Sequence, residues 1–250
     1  MNETTIILLA AMAGVFTQRV VGFGMPIIVL PVALLYFHPP PALTIVLFTG
    51  ILSSIVIINE LKTKTRIDLK IIRAIIPASI VGIVIGSYIL SVISKEALQI
   101  FLGISIIIFL NIQRYFLPEP KHEIKVDKNI HMYGLLSGFF KSTVGLSAAP
   151  LVVWLRFYII KPNQIRLLLA YYFFIMNVVA IISIQAFENN TLSDISWYMY
   201  VLLVPAVILA NFLGSAVAKR VNTSFYNKLA YLVLIAAGAI TLFSGVAGYI

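Results

Sequence analysis

Two apolar stretches of this chain are each interrupted by a glycine-rich turn: VGFGMP at residues 21–26 and VGLSAAP at residues 144–150. Backbone that leaves the helix exposes N–H and C=O groups that hydrocarbon cannot satisfy. Such breaks persist at membrane depth only where protein or a water-filled cavity covers them. A cation stands just upstream of each break, Arg19 or Lys141. In the segmentation below, every other charge falls in a loop, at a chain end or near the loop-facing end of a span or hairpin. The breaks also occupy corresponding places in two similar halves. Paired interruptions of this kind point to the binding site of a secondary transporter, and a charge at membrane depth is itself a signal of function. Both cues are positive, which implies an anionic ligand.

Composition fixes the environment. Of 250 residues, 61% are hydrophobic and 11% charged, with a mean hydropathy of +1.03. A soluble domain carries roughly 25% charged residues, so this chain is expected to live in lipid. Its net charge of +9 does not imply nucleic acid, because the basic residues cluster in short loops between apolar segments and form no basic–aromatic face. The chain has no cysteine, which excludes disulfides, thiolate chemistry and cysteine-bound metals. His38, His122 and His131 are too scattered for a metal cluster, so neither metal nor other cofactor is expected. The N-terminus lacks the basic start of a cleavable signal, and its first apolar run is read as part of the mature protein.

Apolar runs of about 18 residues read as spanning helices. Six are expected, over residues 42–58, 71–93, 97–112, 164–187, 197–218 and 225–247. Residues 4–37 and 130–160 are longer than one span, but the breaks divide them into pieces suited to re-entrant hairpins. The loops test this segmentation. One set holds Lys62, Lys64, Arg66, Lys70, Arg73, Arg114, Lys121, Lys125, Lys128, Arg156, Lys161, Arg166, Lys219, Arg220 and Lys228, while the opposite set holds only Lys95. Six spans and two hairpins place the first set on one side, the cytoplasm by the positive-inside rule, with both termini outside.

The fold class expected is therefore an all-α polytopic membrane protein. Residues 1–116 form a first repeat, 117–129 a cytoplasmic linker and 130–250 a second repeat. Each repeat is a hairpin plus three spans, and an odd number of spans inverts one copy relative to the other. Pro77-Ala78 with Gly86-Ser87 recurs without a gap as Pro205-Ala206 with Gly214-Ser215. Inverted copies can face either side of a membrane in turn.

The breaks suggest how an anion is held. Pro26 and Pro150 are expected at the first position of the second arms, where proline's missing donor is not needed. Each arm then points unpaired N–H groups and a positive dipole end at the ligand. Gly22, Gly24 and Gly145 allow the turn and close backbone approach. Arg19 and Lys141 supply charge, and Ser142, Thr143 and Ser147 supply hydroxyls. Gln18, Asn177 and Asn211 are further polar candidates, though such groups often bond between helices instead. Phe23 and Leu146 are candidate apolar gates. No Asp or Glu falls within an expected span or hairpin, which favours uniport or exchange over carboxylate-driven proton coupling.

The paired GFGxP and GLSxxP breaks, the P-A…G-S repeats and the length together resemble the TauE/SafE sulfite exporter family over essentially the whole chain. Gly22, Gly24, Pro26, Gly145 and Pro150 match the motif glycines and prolines. The Ser-Ala-Ala of the second break departs from it, since a further glycine is more usual there. The resemblance implies a cytoplasmic-membrane permease for sulfite, organosulfonates or related sulfur anions, with the bilayer and a small anion as its partners. An anion channel on the same hairpins is the alternative, and a membrane assembly factor gives the matched cations no purpose. Gly145–Ala148 also invites comparison with rhomboid-type intramembrane serine hydrolases. Those need a GxSG-like turn and a later histidine; here Ala148 replaces the second glycine and no histidine follows His131. Oligomeric state has no sequence signal.

Overall fold

The computed structural model describes residues 3–21, 24–67, 69–112, 129–155, 162–188, 191–218 and 223–248. These form helices α1 (Glu3–Val21), α2 (Met25–Ala33), α3 (Pro39–Leu61), α4 (Leu69–Val92), α5 (Lys95–Asn111), α6 (Asn129–Val144), α7 (Ala148–Leu155), α8 (Pro162–Phe187), α9 (Trp197–Ala218) and α10 (Thr223–Ala247), with no strand among the described residues. Helices α3, α4, α5, α8, α9 and α10 lie at the six expected spans. Among the described residues, α3, α4, α8 and α9 are long and apolar enough to cross a membrane. The protein is an all-α polytopic membrane protein. Of the expected linker only Asn129, the first residue of α6, is described.

Local sequence sets the ends. Three prolines, Pro39–Pro41, open α3, where no N–H is needed. Ser94 caps α5 by accepting the Ala97 N–H at 3.2 Å. Pro77 and Pro205 lie inside α4 and α9, each removing one backbone bond.

Both interrupted regions fold as two unequal arms. They measure 19 and 9 residues for α1 and α2, and 16 and 8 for α6 and α7. At 1.5 Å per residue the described part of each second arm reaches roughly 12–14 Å, under half of a hydrocarbon core. The arm α2 returns along α1, since a Cβ on Gly14 would lie 2.9 Å from Val29 and 3.0 Å from the Met25 carbonyl oxygen.

Small residues bring the helices together, as is usual where lipid offers no hydrophobic drive. Gly134 and Gly138 of α6 pack against the Ile75 and Ser79 backbone of α4, while Gly82 and Gly86 of α4 pack against the Leu135 and Phe139 backbone of α6. Gly103 of α5 and Gly238 of α10 make a similar close approach. The pairings follow a pattern. As α6 packs on α4, α1 packs on α9; as α8 packs on α4, α3 packs on α9; and α3 faces α8 as α5 faces α10.

Two expectations need correction. Helix α3 runs past residue 58 to Leu61 and so includes Glu60, while Glu3 and Glu96 sit in the first turns of α1 and α5. Acidic residues therefore do occur at helix ends, and Glu60 is partnered inside the molecule. Pro26 is the second residue of α2 and Pro150 the third of α7, not the first. Both still lie in a first turn, whose N–H groups have no intrahelical acceptor.

Candidate functional site

At the first break α1 stops at Val21, and Gly24 adopts φ 113°, a conformation side chains resist. Its carbonyl accepts the Ile27 N–H at 3.1 Å and starts α2. Gly22 and Phe23 lie outside the described residues. At the second break Gly145 takes φ 76°. The Gly145 and Leu146 N–H groups turn back to the Lys141 and Phe140 carbonyls, both at 3.1 Å. This nested pair, one residue wider than the usual Schellman closure, satisfies the end of α6.

The second break is also held from outside. The Ser137 hydroxyl donates to the Ser147 carbonyl at 2.7 Å. The buried Tyr172 hydroxyl lies 2.9 Å from both Ser137 and Ser79 Oγ. Helices α4, α6 and α8 thus fix the position of Ser147.

The breaks meet around one cavity of about 40 Å³. Gly24, Met25, Pro26 and Ile27 line it from the first, and Gly145, Leu146, Ser147 and Ala148 from the second. Gln18, Lys141 and Asn177 supply its polar wall; Gly50, Ser54, Phe109 and Phe173 complete it. Lys141 is 5% exposed, and its Nζ sits 5.2 Å from the Phe173 ring centroid. Among the described residues the ammonium has no carboxylate or hydrogen-bond partner. Asn177 is fully buried with both amide atoms unpartnered, and Gln18 Oε1 is likewise buried and unpartnered. Gly50 makes room for that amide: a Cβ there would fall 2.7 Å from Asn177 Nδ2. Each unsatisfied buried polar atom costs about 1–3 kcal/mol. Three such atoms line one small cavity, where a polar guest would satisfy them.

Below this cavity a second shares Gln18, Ser54 and Phe173 with it and adds Arg19 and Arg166. A third, of about 280 Å³, shares Arg19 and Arg166 and adds Glu60, Lys64, Asn163 and Ser215. The three share lining residues in sequence from the breaks to the ends of α3, α8 and α9, and only the last is wide. Arg19 stands between the chambers, ion-paired to Glu60, with side chains 8% and 30% exposed.

Comparison with known proteins decides the family. Residues 6–241 match the family described as sulfite exporter TauE/SafE. The chain belongs to the TauE/SafE family. It is 25% identical over 246 residues to a Cupriavidus necator protein named probable sulfite/organosulfonate exporter TauE, covering 95% of this chain and 93% of the relative. The chain matches no solved structure. As a TauE/SafE protein it is a multi-pass membrane transporter, not an enzyme.

Within this TauE/SafE chain, Gln18, Gly24, Pro26, Lys141, Gly145, Leu146, Ser147 and Asn177 share the central cavity. Other candidates point elsewhere. Arg19 lies off the cavity, its stem against Gly214 of α9, whose Cβ would sit 2.7 Å from Arg19 Cβ and 3.2 Å from the Phe16 carbonyl oxygen. The Ser142 hydroxyl meets α4, donating to the Ile83 carbonyl at 2.8 Å or that of Gly138 at 3.2 Å. Thr143 donates to the Phe139 carbonyl at 2.8 Å. Asn211 donates to the Val207 carbonyl at 3.0 Å and lies near Ser53 of α3. Pro150 is off the lining. The Ser142 bond to Ile83 and the Asn211 approach to Ser53 join neighbouring helices, whereas Thr143 bonds within its own helix.

The packing also resets the register between the breaks. Gly86 meets the Phe139 carbonyl and Ser142, and Gly214 meets the Phe16 carbonyl and Arg19. On the expected repeat, Arg19 would correspond to Ser142, and Lys141 to Gln18. Both members of that second pair line the cavity. Glu60, Ser54, Ser137 and Phe173 carried no sequence signal of a role; only the repeat register, read from the Gly86 and Gly214 motifs, could have preferred Gln18 over Arg19.

Proposed function

We propose that this protein carries a small sulfur oxyanion, sulfite or an organosulfonate, across the cytoplasmic membrane through the cavity between its breaks. The observation that carries the reading is Lys141: a buried ammonium without a counter-ion, on the same wall as the unpartnered amides of Asn177 and Gln18. An oxyanion would neutralise the ammonium and accept from Asn177. First-turn N–H groups of α2 and α7 would add hydrogen bonds, as helix N-termini do for anions. The name of the Cupriavidus necator relative favours sulfur anions within this class.

Alternating access is the mechanism the packing supports best. Exchanging α1–α5 for α6–α10 maps the principal helix pairings onto one another, as expected of two inverted repeats. Rocking one repeat against the other would open the cavity to either side. The wide chamber ends among the basic loops, so it faces the cytoplasm by charge bias, with both termini outside. Proteoliposomes holding wild type or Lys141→Gln test this. Sulfite or sulfonate flux should vanish in a variant that remains folded by size-exclusion profile; undiminished flux would refute the role of Lys141.

A further inference from the structure

Glu60 lies outside every element expected to touch a ligand, yet it holds the second buried cation. Along the path from vestibule to breaks, three enclosed or half-enclosed side chains carry charge: Lys141, Arg19 and Glu60. Arg166 and Lys64 also face the vestibule, but both are exposed, where solvent and salt screen them. The helix ends add little net charge, because at each break the C-terminus of one arm meets the N-terminus of the next and their dipoles largely offset.

We infer that Glu60 sets the valence of the transported anion: by neutralising Arg19 it leaves the Lys141 ammonium as the one uncompensated charge, so the site accepts monoanions and rejects dianions. The inference rests on the function proposed above and specifies its substrate. Around Lys141 the wall is apolar or neutral, formed by Phe109, Phe173, Met25 and Ile27 with the Gln18 and Asn177 amides. A single negative charge is matched there. A second would be buried without a partner, which low-dielectric surroundings penalise heavily. The unpartnered Gln18 Oε1 and Asn177 Oδ1 are acceptors, and they repel additional negative charge further. A sulfonate headgroup, or sulfite in its singly protonated form, meets these conditions.

The test uses two permanent anions built on the same tetrahedral sulfur: methanesulfonate, always singly charged, and sulfate, doubly charged near neutral pH. Competition with a labelled sulfonate is measured on the purified full chain in detergent. Wild type should favour methanesulfonate over sulfate by roughly tenfold or more, about 1.4 kcal/mol. Glu60→Gln should shift that ratio roughly tenfold toward sulfate. The double variant Arg19→Gln/Glu60→Gln restores the charge balance, so its ratio should return toward wild type even if Glu60→Gln alone fails to fold. Equal binding of both anions by wild type, with both lost in Lys141→Gln, would overturn the valence assignment while sparing the site. An unchanged ratio in folded Glu60→Gln would overturn the role of Glu60. Failure of both anions to bind wild type would defeat the site and the inference together.

Discussion

A Cβ added to Gly145 would fall 3.1 Å from the Cβ of Pro26, so the two chain breaks, far apart in sequence, touch. This contact makes a single cavity from two turns that each look like a local defect. Neither break encloses a ligand alone. Together they present the starts of α2 and α7, the Lys141 ammonium and two buried amides to the same small volume.

Gly145→Ala tests the contact. The residue has φ 76°, which costs a side-chain-bearing residue roughly 1–2 kcal/mol, and the new methyl presses on Pro26. Thermal unfolding in detergent should fall by several degrees, with transport strongly reduced. Wild-type stability together with wild-type flux would show that the break tolerates a side chain.

Lys141→Gln should separate stability from function. Removing a buried charge that has no counter-ion relieves an energetic cost, so the substrate-free protein should melt no lower than wild type, and higher if the glutamine packs well. Sulfonate binding should be lost in the same sample. A large drop in melting temperature would mean that Lys141 serves structure rather than ligand.

Asn177 and Asn211 predict opposite phenotypes. Asn177→Leu removes two unpartnered amide atoms, so stability should hold while affinity falls roughly tenfold, the worth of one good hydrogen bond to an anion. Asn211→Leu breaks the bond to Val207 and the approach to Ser53. It should cost about 1 kcal/mol of stability and leave affinity unchanged. Isothermal titration alongside thermal melts would expose a reversed pattern.

The Arg19–Glu60 pair yields a double-mutant cycle. Arg19→Gln leaves Glu60, with its side chain 30% exposed, without its partner and should destabilise by roughly 1–3 kcal/mol. Adding Glu60→Gln should recover much of that loss. Strictly additive effects would show that the two side chains do not interact in the membrane.

Much of this was legible in the sequence because lipid imposes strong rules. Span length located six helices, four of them long and apolar enough to cross a membrane, and glycines at 24 and 145 mark turns whose positive φ only glycine adopts easily. Sequence alone does not say which of the adjacent residues Gln18 and Arg19 lines the central cavity. Arg19 drew attention as a cation near the first break, matching Lys141 near the second. Successive helical residues, however, differ by about 100° in direction, so Gln18 faces the cavity while Arg19 turns toward α9 and Glu60. Hydropathy could not place Glu60, because a carboxylate at a helix end reads as a loop charge until its buried partner is known. Ser142 and Thr143 are indistinguishable from ligand hydroxyls by composition; Ser142 reaches the Ile83 carbonyl because α6 turns that face to α4, while Thr143 bonds back to the Phe139 carbonyl of α6 itself.

The most direct measurement is the position of a heavy-atom-labelled sulfonate. Crystals grown with 2-bromoethanesulfonate locate bromine by anomalous scattering, and the electron density around it locates the sulfonate. The sulfonate is expected between Gly24 and Gly145, within reach of Lys141 Nζ. A sulfonate held only in the vestibule by Arg19 and Arg166, with none at the breaks, would contradict it.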